Sequence, residues 1–187
     1  GQVRKIFEDR GLSLHPQSLL SQYFDKAVHL AEAFDTGSTE GQGIQEVLAI
    51  AHTNRISDAI LGVAEEALAQ ELLTRISKKD MALNLRAPSQ GKDALWELEL
   101  LAFLRRHGAR AWLQEPDIMV SLGGVDYPIA CKKVNSETGA IDQVRSACKQ
   151  LRNFGARGIV ALNIDVLVPE NTILRGPTEH ETARIRR

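Results

Sequence analysis

The chain has 187 residues, enough to bury a substantial core as one domain or as one domain with a helical extension. Its 23 basic and 24 acidic side chains nearly cancel, which excludes attraction to polyanions through bulk charge, so a nucleic acid would need a local basic patch. Two cysteines without zinc-site or disulfide spacing predict a reduced, cytoplasmic protein, and no apolar run approaches the ~20 residues that would span a membrane.

The first half of the chain has the apolar spacing of helices. One helix is predicted within 15–34, before the glycine-containing stretch 35–43; a second is predicted over 44–52 and a third over 54–79. Pro88 and Gly91 indicate a linker over 84–93. We expect residues 1–90 to form an all-helical region that serves for dimerisation or for docking to a protein partner.

The second half alternates helix and strand patterns. A buried helix over 92–107 is expected to end at Gly108, and a short strand follows over 109–114. After the stretch 115–134 come a helix over 140–155 and a buried strand over 158–168, and the polar tail 175–187 is compatible with one more helix. This order predicts an α/β core with a mixed sheet in residues 91–187.

The stretch 115–134, EPDIMVSLGGVDYPIACKKV, predicts a β-hairpin. Gly123 and Gly124 suit a two-residue turn, because such turns need positive φ angles, and Asp117 then lies opposite residue 130. Period-two alternation gathers Asp117, Ala130 and Lys132 on one face. The other face carries the apolar residues Ile118, Val120, Leu122, Val125, Tyr127, Ile129 and Cys131.

The hairpin resembles the motif of the PD-(D/E)xK nuclease superfamily, in which an acidic residue, often after proline, precedes a carboxylate-x-Lys sequence on the next strand. Pro116 and Asp117 match the first part, and Ala130 stands where the second part has Glu or Asp, two residues before Lys132. The resemblance covers about 92–168 and implies a restriction-endonuclease-like core: a mixed central sheet flanked by helices, here preceded by the all-helical region.

The resemblance also implies a chemistry, namely hydrolysis of DNA phosphodiester bonds with Mg²⁺. Asp117 would be the central metal ligand and the backbone carbonyl of Cys131 a further one. Lys132 would orient or help to deprotonate the attacking water and offset charge in the transition state. Without this context, Asp117 after Pro116 is more typical of a turn residue that begins a strand, and Lys132 and Lys133 are equally typical of a solvated edge strand.

Two flanking helices offer further matches to the family. Members commonly carry a glutamate on the preceding helix, which here is Glu97 or Glu99, and many carry a glutamine on the following helix, which here is Gln150. We prefer Glu97 as a metal ligand because its helical neighbours are leucines, and a carboxylate among leucines needs a reason. The alternative for Gln150 is an exposed helix residue without a role.

Ala130 departs from the pattern, since a methyl group cannot replace a metal-binding carboxylate. We therefore expect weakened Mg²⁺ binding and a rate lower by orders of magnitude. A deliberate Glu-to-Ala replacement and a natural pseudonuclease both explain it, and the retained Asp117 and Lys132 favour the first.

Basic residues follow the hairpin and suit contacts with the phosphate backbone of DNA, although a solvated helix face has the same pattern. The residues predicted to bind DNA are Lys133, Arg145, Lys149 and Arg152. The predicted function is that of a DNA nuclease domain, inactive in this form, with a bacterial antiviral defence system as one setting. The alternatives are a non-catalytic DNA-binding or protein-interaction module on the same fold, and a helical partner-binding protein with an incidental hairpin.

Overall fold

The computed structural model describes residues 1–36, 44–83, 85, 87–155 and 157–167. Within these ranges the chain is α/β, with six α-helices, four strands and a short 3-10 helix at Asp165–Leu167. The helices and strands are, in chain order, α1 (Gln2–Asp9), α2 (Leu19–Asp35), α3 (Ile44–Leu61), α4 (Ala69–Lys78), α5 (Gln90–Arg106), β1 (Arg110–Gln114), β2 (Asp117–Leu122), β3 (Val125–Lys133), α6 (Ala140–Phe154) and β4 (Ile159–Asn163).

The four strands form one mixed sheet in the order β1-β2-β3-β4, which confirms the predicted mixed sheet. The first three strands form an antiparallel meander, and β4 returns through α6 to pair parallel with β3. Gly123 and Gly124 have φ angles of 59° and 82°, as a tight two-residue turn requires. The predicted register is confirmed, because Leu122 pairs with Val125.

The sheet lies between two helices that pack on its opposite faces. On one face Ile118, Val120 and Ile129 join the leucines of α5 in a buried apolar cluster. On the other face Ala130 packs under α6 against Leu151. Alternate residues of β2 and β3 therefore pack against different helices, because successive side chains along a strand point to opposite faces of the sheet.

The apolar cluster on the α5 side also contains residues of the first four helices, such as Phe7 of α1, Leu20 of α2, Ile56 of α3 and Leu73 of α4. Residues 1–90 and the sheet thus share one hydrophobic core through α5. The division of the chain at residue 90 into a docking region and a catalytic domain stays a prediction.

The bounds of α3 and α4 differ from those of the helices predicted over 44–52 and 54–79. One helix continues from Ile44 to Leu61, and the chain then leaves helical geometry before α4 begins at Ala69. Gly62 stands at this break, where an added Cβ would lie 3.0 Å from the Cβ of Ala102 on α5. At this break the end of α3 lies in close contact with α5.

Three further features differ from or extend the prediction. Helix α1 was not predicted; it is anchored by the buried side chains of Val3 and Phe7. The expected buried strand β4 is partly exposed in the described part of the chain, with Ile159 at 38% and Leu162 at 37%. The possible tail helix at 175–187 lies outside the described residues.

Helix α5, which carries the candidate glutamates, has defined ends. The hydroxyl of Ser89 accepts a hydrogen bond from the backbone N–H of Gly91 (3.1 Å) and caps the first turn. Gly108, with a φ angle of 79°, donates its N–H to the carbonyl of Arg105 (3.0 Å) and ends the helix as predicted. None of the described helices has both the length and the apolar character needed to cross a bilayer.

The close approach of β4 to the hairpin gives a test of this packing. A Cβ added to Gly158 would lie 2.5 Å from Cδ2 of Leu151 and 2.6 Å from the carbonyl oxygen of Pro128. We expect Gly158→Ala to lower the free energy of unfolding by about 2 kcal/mol, measured by urea denaturation, because backbone must shift to relieve the overlap. Gly139→Ala, where the nearest atom is the mobile hydroxyl of Ser136, is the control and should cost much less.

Candidate active site

The open end of the β2–β3 hairpin holds the acid and the amine that the sequence predicts to meet. Asp117 is the first residue of β2, and its Oδ2 atom accepts a hydrogen bond from the backbone N–H of Cys131 (2.6 Å). The Nζ atom of Lys132 lies 3.9 Å from the same oxygen. Both side chains are mostly buried, with 14% of Asp117 and 18% of Lys132 exposed. They therefore lie on one side of the sheet, as the period-two argument requires.

Gln150 of α6 joins these two side chains. Lys132 donates from Nζ to Oε1 of Gln150 (2.7 Å), while Nε2 of Gln150 donates to Oδ1 of Asp117 (3.2 Å) and to the carbonyl of Pro116 (3.1 Å). An amide can satisfy a lysine and a carboxylate at once because its oxygen accepts and its nitrogen donates. The glutamine is therefore part of the network and is not an isolated surface residue.

The electrostatic setting of Asp117 combines opposing effects. Burial raises the pKa of this carboxyl, while the N–H of Cys131, the charge of Lys132 and the amide of Gln150 act to lower that pKa. Hydrogen bonds to both oxygens hold the carboxylate in a fixed orientation. A fixed, partly desolvated oxygen pair is suited to binding a cation or polarising a bound group.

Glu97 rather than Glu99 lies near this network. Glu97 and Asp117 line the same pocket, which has a volume of about 190 Å³. Burial, followed by the nearby charge of Asp117, raises the pKa of Glu97 to about 8. Glu99 instead makes a two-pronged ion pair with Arg55 of α3, one contact of which is 2.8 Å long. Arg106, at the end of α5, pairs instead with Asp58 of α3.

The residues can be tested for a Mg²⁺ site. In the part of the chain that the structure describes, no group of three or more His, Cys, Asp or Glu side chains is placed to hold a metal ion. Asp117 and Glu97 nevertheless present two carboxylates to one pocket. Mg²⁺ in proteins is commonly held by one or two carboxylates and keeps several waters. The donor set thus suits a weakly held Mg²⁺.

Cys131 can contribute to such a site only through its backbone. Its side chain belongs to the apolar cluster on the α5 side, and burial raises the pKa of the thiol well above its usual range. A metal-binding thiolate would need the opposite shift. The backbone carbonyl of Cys131 stays a predicted ligand.

Ala130, at the position of the missing carboxylate, is fully buried. Its methyl group packs in a small apolar cluster with Ala147 and Leu151 of α6, and Val160 of β4 borders the cluster. Helix α6 therefore covers the side chain at this position. A glutamate here would need to extend along the sheet toward Asp117 or displace α6.

The predicted DNA-binding residues divide into two groups. Arg145, Lys149 and Arg152 lie on α6, and their spacing of four and three residues places them on one helix face. Arg145 also pairs with Asp142 on the same helix (3.2 Å).

The position of Lys133 contradicts its predicted role in DNA binding. This lysine is only 8% exposed, and its Nζ atom donates a hydrogen bond to Oδ1 of Asn163 (3.0 Å). Residue 133 alternates with Lys132 along β3, so it lies on the α5 side of the sheet with Cys131. Burial lowers the pKa of this lysine. The same alternation that placed Asp117 and Lys132 together could have excluded Lys133 from the DNA-binding group.

One residue beside the site was missed by sequence reasoning. Arg75 of α4 lines the pocket shared by Glu97 and Asp117. It is far from the motif in sequence and lies in the region predicted to serve for dimerisation or docking. No local pattern around Arg75 could have indicated this position, because it depends on the packing of α4 against α5.

Comparisons of this chain with protein-family models, with curated proteins and with solved structures find no match. The functional inference therefore depends on the chemistry and geometry of the residues at the hairpin and in the adjoining pocket.

The raised pKa of Glu97 has a consequence for stability. The carboxyl group of Glu97 has a pKa of about 8 in the folded protein, whereas its ordinary value is 4.5. It therefore binds its proton more tightly in the folded state. Its contribution to stability is therefore lost as the pH rises from about 4.5 to about 8. We expect the unfolding free energy of Glu97→Gln, relative to that of the unchanged protein, to increase by on the order of 2 kcal/mol from about pH 4.5 to about pH 8.5. Urea denaturation at the two pH values measures this difference.

The exposed Glu137, in the loop before α6, supplies the matched control. Glu137→Gln should show no such gain across this pH range. An equal difference between Glu97→Gln and the unchanged protein at both pH values would contradict the burial-driven shift.

Proposed function

We propose that this chain carries a Mg²⁺-dependent nuclease site of the PD-(D/E)xK type, directed at DNA phosphodiester bonds and weakened by Ala130. The observation that carries the proposal is the network that joins Asp117, Gln150 and Lys132 at the open end of the hairpin. The order of elements from α5 through the meander to α6 and the parallel β4 supports it, because the superfamily resemblance implies the same order.

Each side chain of the network has a defined part in this proposal. Asp117 and Glu97 would hold Mg²⁺, which would bind a phosphate oxygen and lower the pKa of a water molecule. Lys132, held by Gln150, presents an ammonium where negative charge develops during attack on phosphorus. Gln150 is a positioning residue, since it fixes both the lysine and Asp117 through its amide. The site is thus ordered by hydrogen bonds before any substrate arrives.

The absence of the motif carboxylate limits the rate that we expect from this form. Two carboxylates remain, both with their pKa raised, so they bind a cation only against a desolvation cost. A group that acts mainly in the transition state contributes orders of magnitude when present. A bacterial antiviral defence system stays the proposed setting.

A second candidate function is non-catalytic binding of DNA or of a protein on the same fold. The observation that favours it is the complete burial of the Ala130 methyl group under α6, because such a position suits a small apolar side chain. In this alternative the basic face of α6 binds phosphates, and the Asp117 network is structural.

Ala130→Glu distinguishes the two functions. The nuclease proposal predicts Mg²⁺-dependent nicking of supercoiled plasmid at a rate at least ~100-fold above that of the unchanged chain, because the third carboxylate returns. Addition of Asp117→Asn should remove this activity. Since residue 130 is buried, Ala130→Asp provides a shorter carboxylate, and thermal unfolding of both variants shows whether they fold. Folded variants that bind DNA without nicking would support non-catalytic binding.

The basic face of α6 predicts a salt-dependent affinity for DNA. We expect the double variant Lys149→Gln and Arg152→Gln to reduce the slope of log affinity against log salt by about 0.9 for each phosphate that is no longer neutralised, measured by fluorescence anisotropy with a duplex. Lys5→Gln, at an exposed position of α1, is the control with one cation removed. A slope unchanged in the double variant would exclude this helix face as the surface that binds DNA.

A further inference from the structure

The pocket beside Asp117 contains a cation from outside the β-hairpin. It is lined by residues of α4, α5 and the β1–β2 turn, and its charged members are Glu71, Arg75, Glu97, Glu115 and Asp117. Arg75 is the single cation among these lining residues, and Lys132 is not one of them. Four carboxyl groups therefore share this pocket with one guanidinium.

Arg75 is held by a weak partner. Its guanidinium pairs with Glu71, one turn earlier on α4, and both side chains are accessible, at 37% and 76% exposure. Exposed pairs at this helical spacing contribute little stability, because water screens them and both side chains lose freedom. The guanidinium can thus exchange Glu71 for a better anion without disrupting the fold.

A phosphate is such an anion. Guanidinium binds phosphate through two parallel hydrogen bonds, and it keeps its charge at any accessible pH. An anionic diester that approaches the carboxylate of Asp117 is repelled unless positive charge lies on its path. Bound Mg²⁺ and the ammonium of Lys132 would supply part of that charge, and Arg75 is placed to add to it from the α4 side.

We infer that Arg75 is a phosphate-binding residue of the candidate site, whose guanidinium leaves Glu71 and takes a phosphate group of DNA beside Asp117 and Glu97. This inference rests on the proposed function and deepens it. It makes α4, in the region predicted to serve for dimerisation or docking, a contributor to substrate binding.

The test compares two substitutions that break the same ion pair. The probe is thymidine 3′,5′-bisphosphate in the presence of Ca²⁺, and its binding to the full chain is measured by isothermal titration calorimetry. We expect Arg75→Gln to weaken binding by about tenfold or more, because a charge-assisted hydrogen-bond pair is removed. Glu71→Gln should strengthen binding several-fold, since the competing carboxylate is removed. Arg75→Lys should restore part of the affinity.

The opposite signs separate phosphate binding from a structural role. If Arg75 only stabilised α4 through Glu71, both substitutions would change binding in the same direction, and that result would overturn the inference. Lys78→Gln, which removes an exposed cation at the end of the same helix, is the matched control and should leave binding unchanged.

The failure of the inference can be told apart from failure of the proposed function. Unchanged affinity in Arg75→Gln, with normal binding by the unchanged chain, overturns the role of Arg75 alone. If the unchanged chain does not bind the probe but binds duplex DNA through α6, the phosphate role of this pocket is also overturned. If neither ligand binds, both the inference and the proposed function are wrong.

Discussion

A shift of one residue in the pairing of β2 with β3 would turn over one strand relative to the other, so that Asp117 and Lys132 would lie on opposite faces of the sheet. The register that prevents this is set at the hairpin tip by two glycines with positive φ and along the strands by the apolar residues that must face α5. The hydrogen bond from the backbone of Cys131 to Asp117 depends on this pairing. The candidate site is therefore a consequence of how the hydrophobic core selects one face of each strand.

The network of Asp117, Lys132 and Gln150 has a desolvation cost that interactions with the surrounding structure must offset. Asp117 and Lys132 are mostly removed from water, and a buried charge is tolerated only when it is paired and hydrogen-bonded. Gln150 meets this requirement with one amide, which contacts both charged side chains. Glu97 has no such partner among the hydrogen bonds of the described residues, and its raised pKa reflects burial beside a second carboxylate. A buried carboxyl group with a shifted pKa and no such partner is typical of binding and catalytic sites.

The sequence predicts this hairpin well because its signals are local. Two adjacent glycines fix the turn, alternation fixes the faces, and Gly108 ends α5 through a backbone conformation that other residues avoid. The errors arise where tertiary contacts decide. The break after Leu61 depends on the approach of Gly62 to Ala102, and the position of Arg75 depends on the packing of α4. Lys133 is a different case, since alternation alone places it on the buried face.

The shared core of α5 has a mechanical consequence. Leu95, Leu98 and Leu101 are buried in a cluster that includes residues of α1 to α4 as well as the sheet. Helix α5 therefore packs against the first four helices and against the sheet at once. We expect the helical region and the sheet to be protected from hydrogen exchange as a single cooperative unit. A displacement of the first four helices would therefore be transmitted to the strands through the packed side chains of α5.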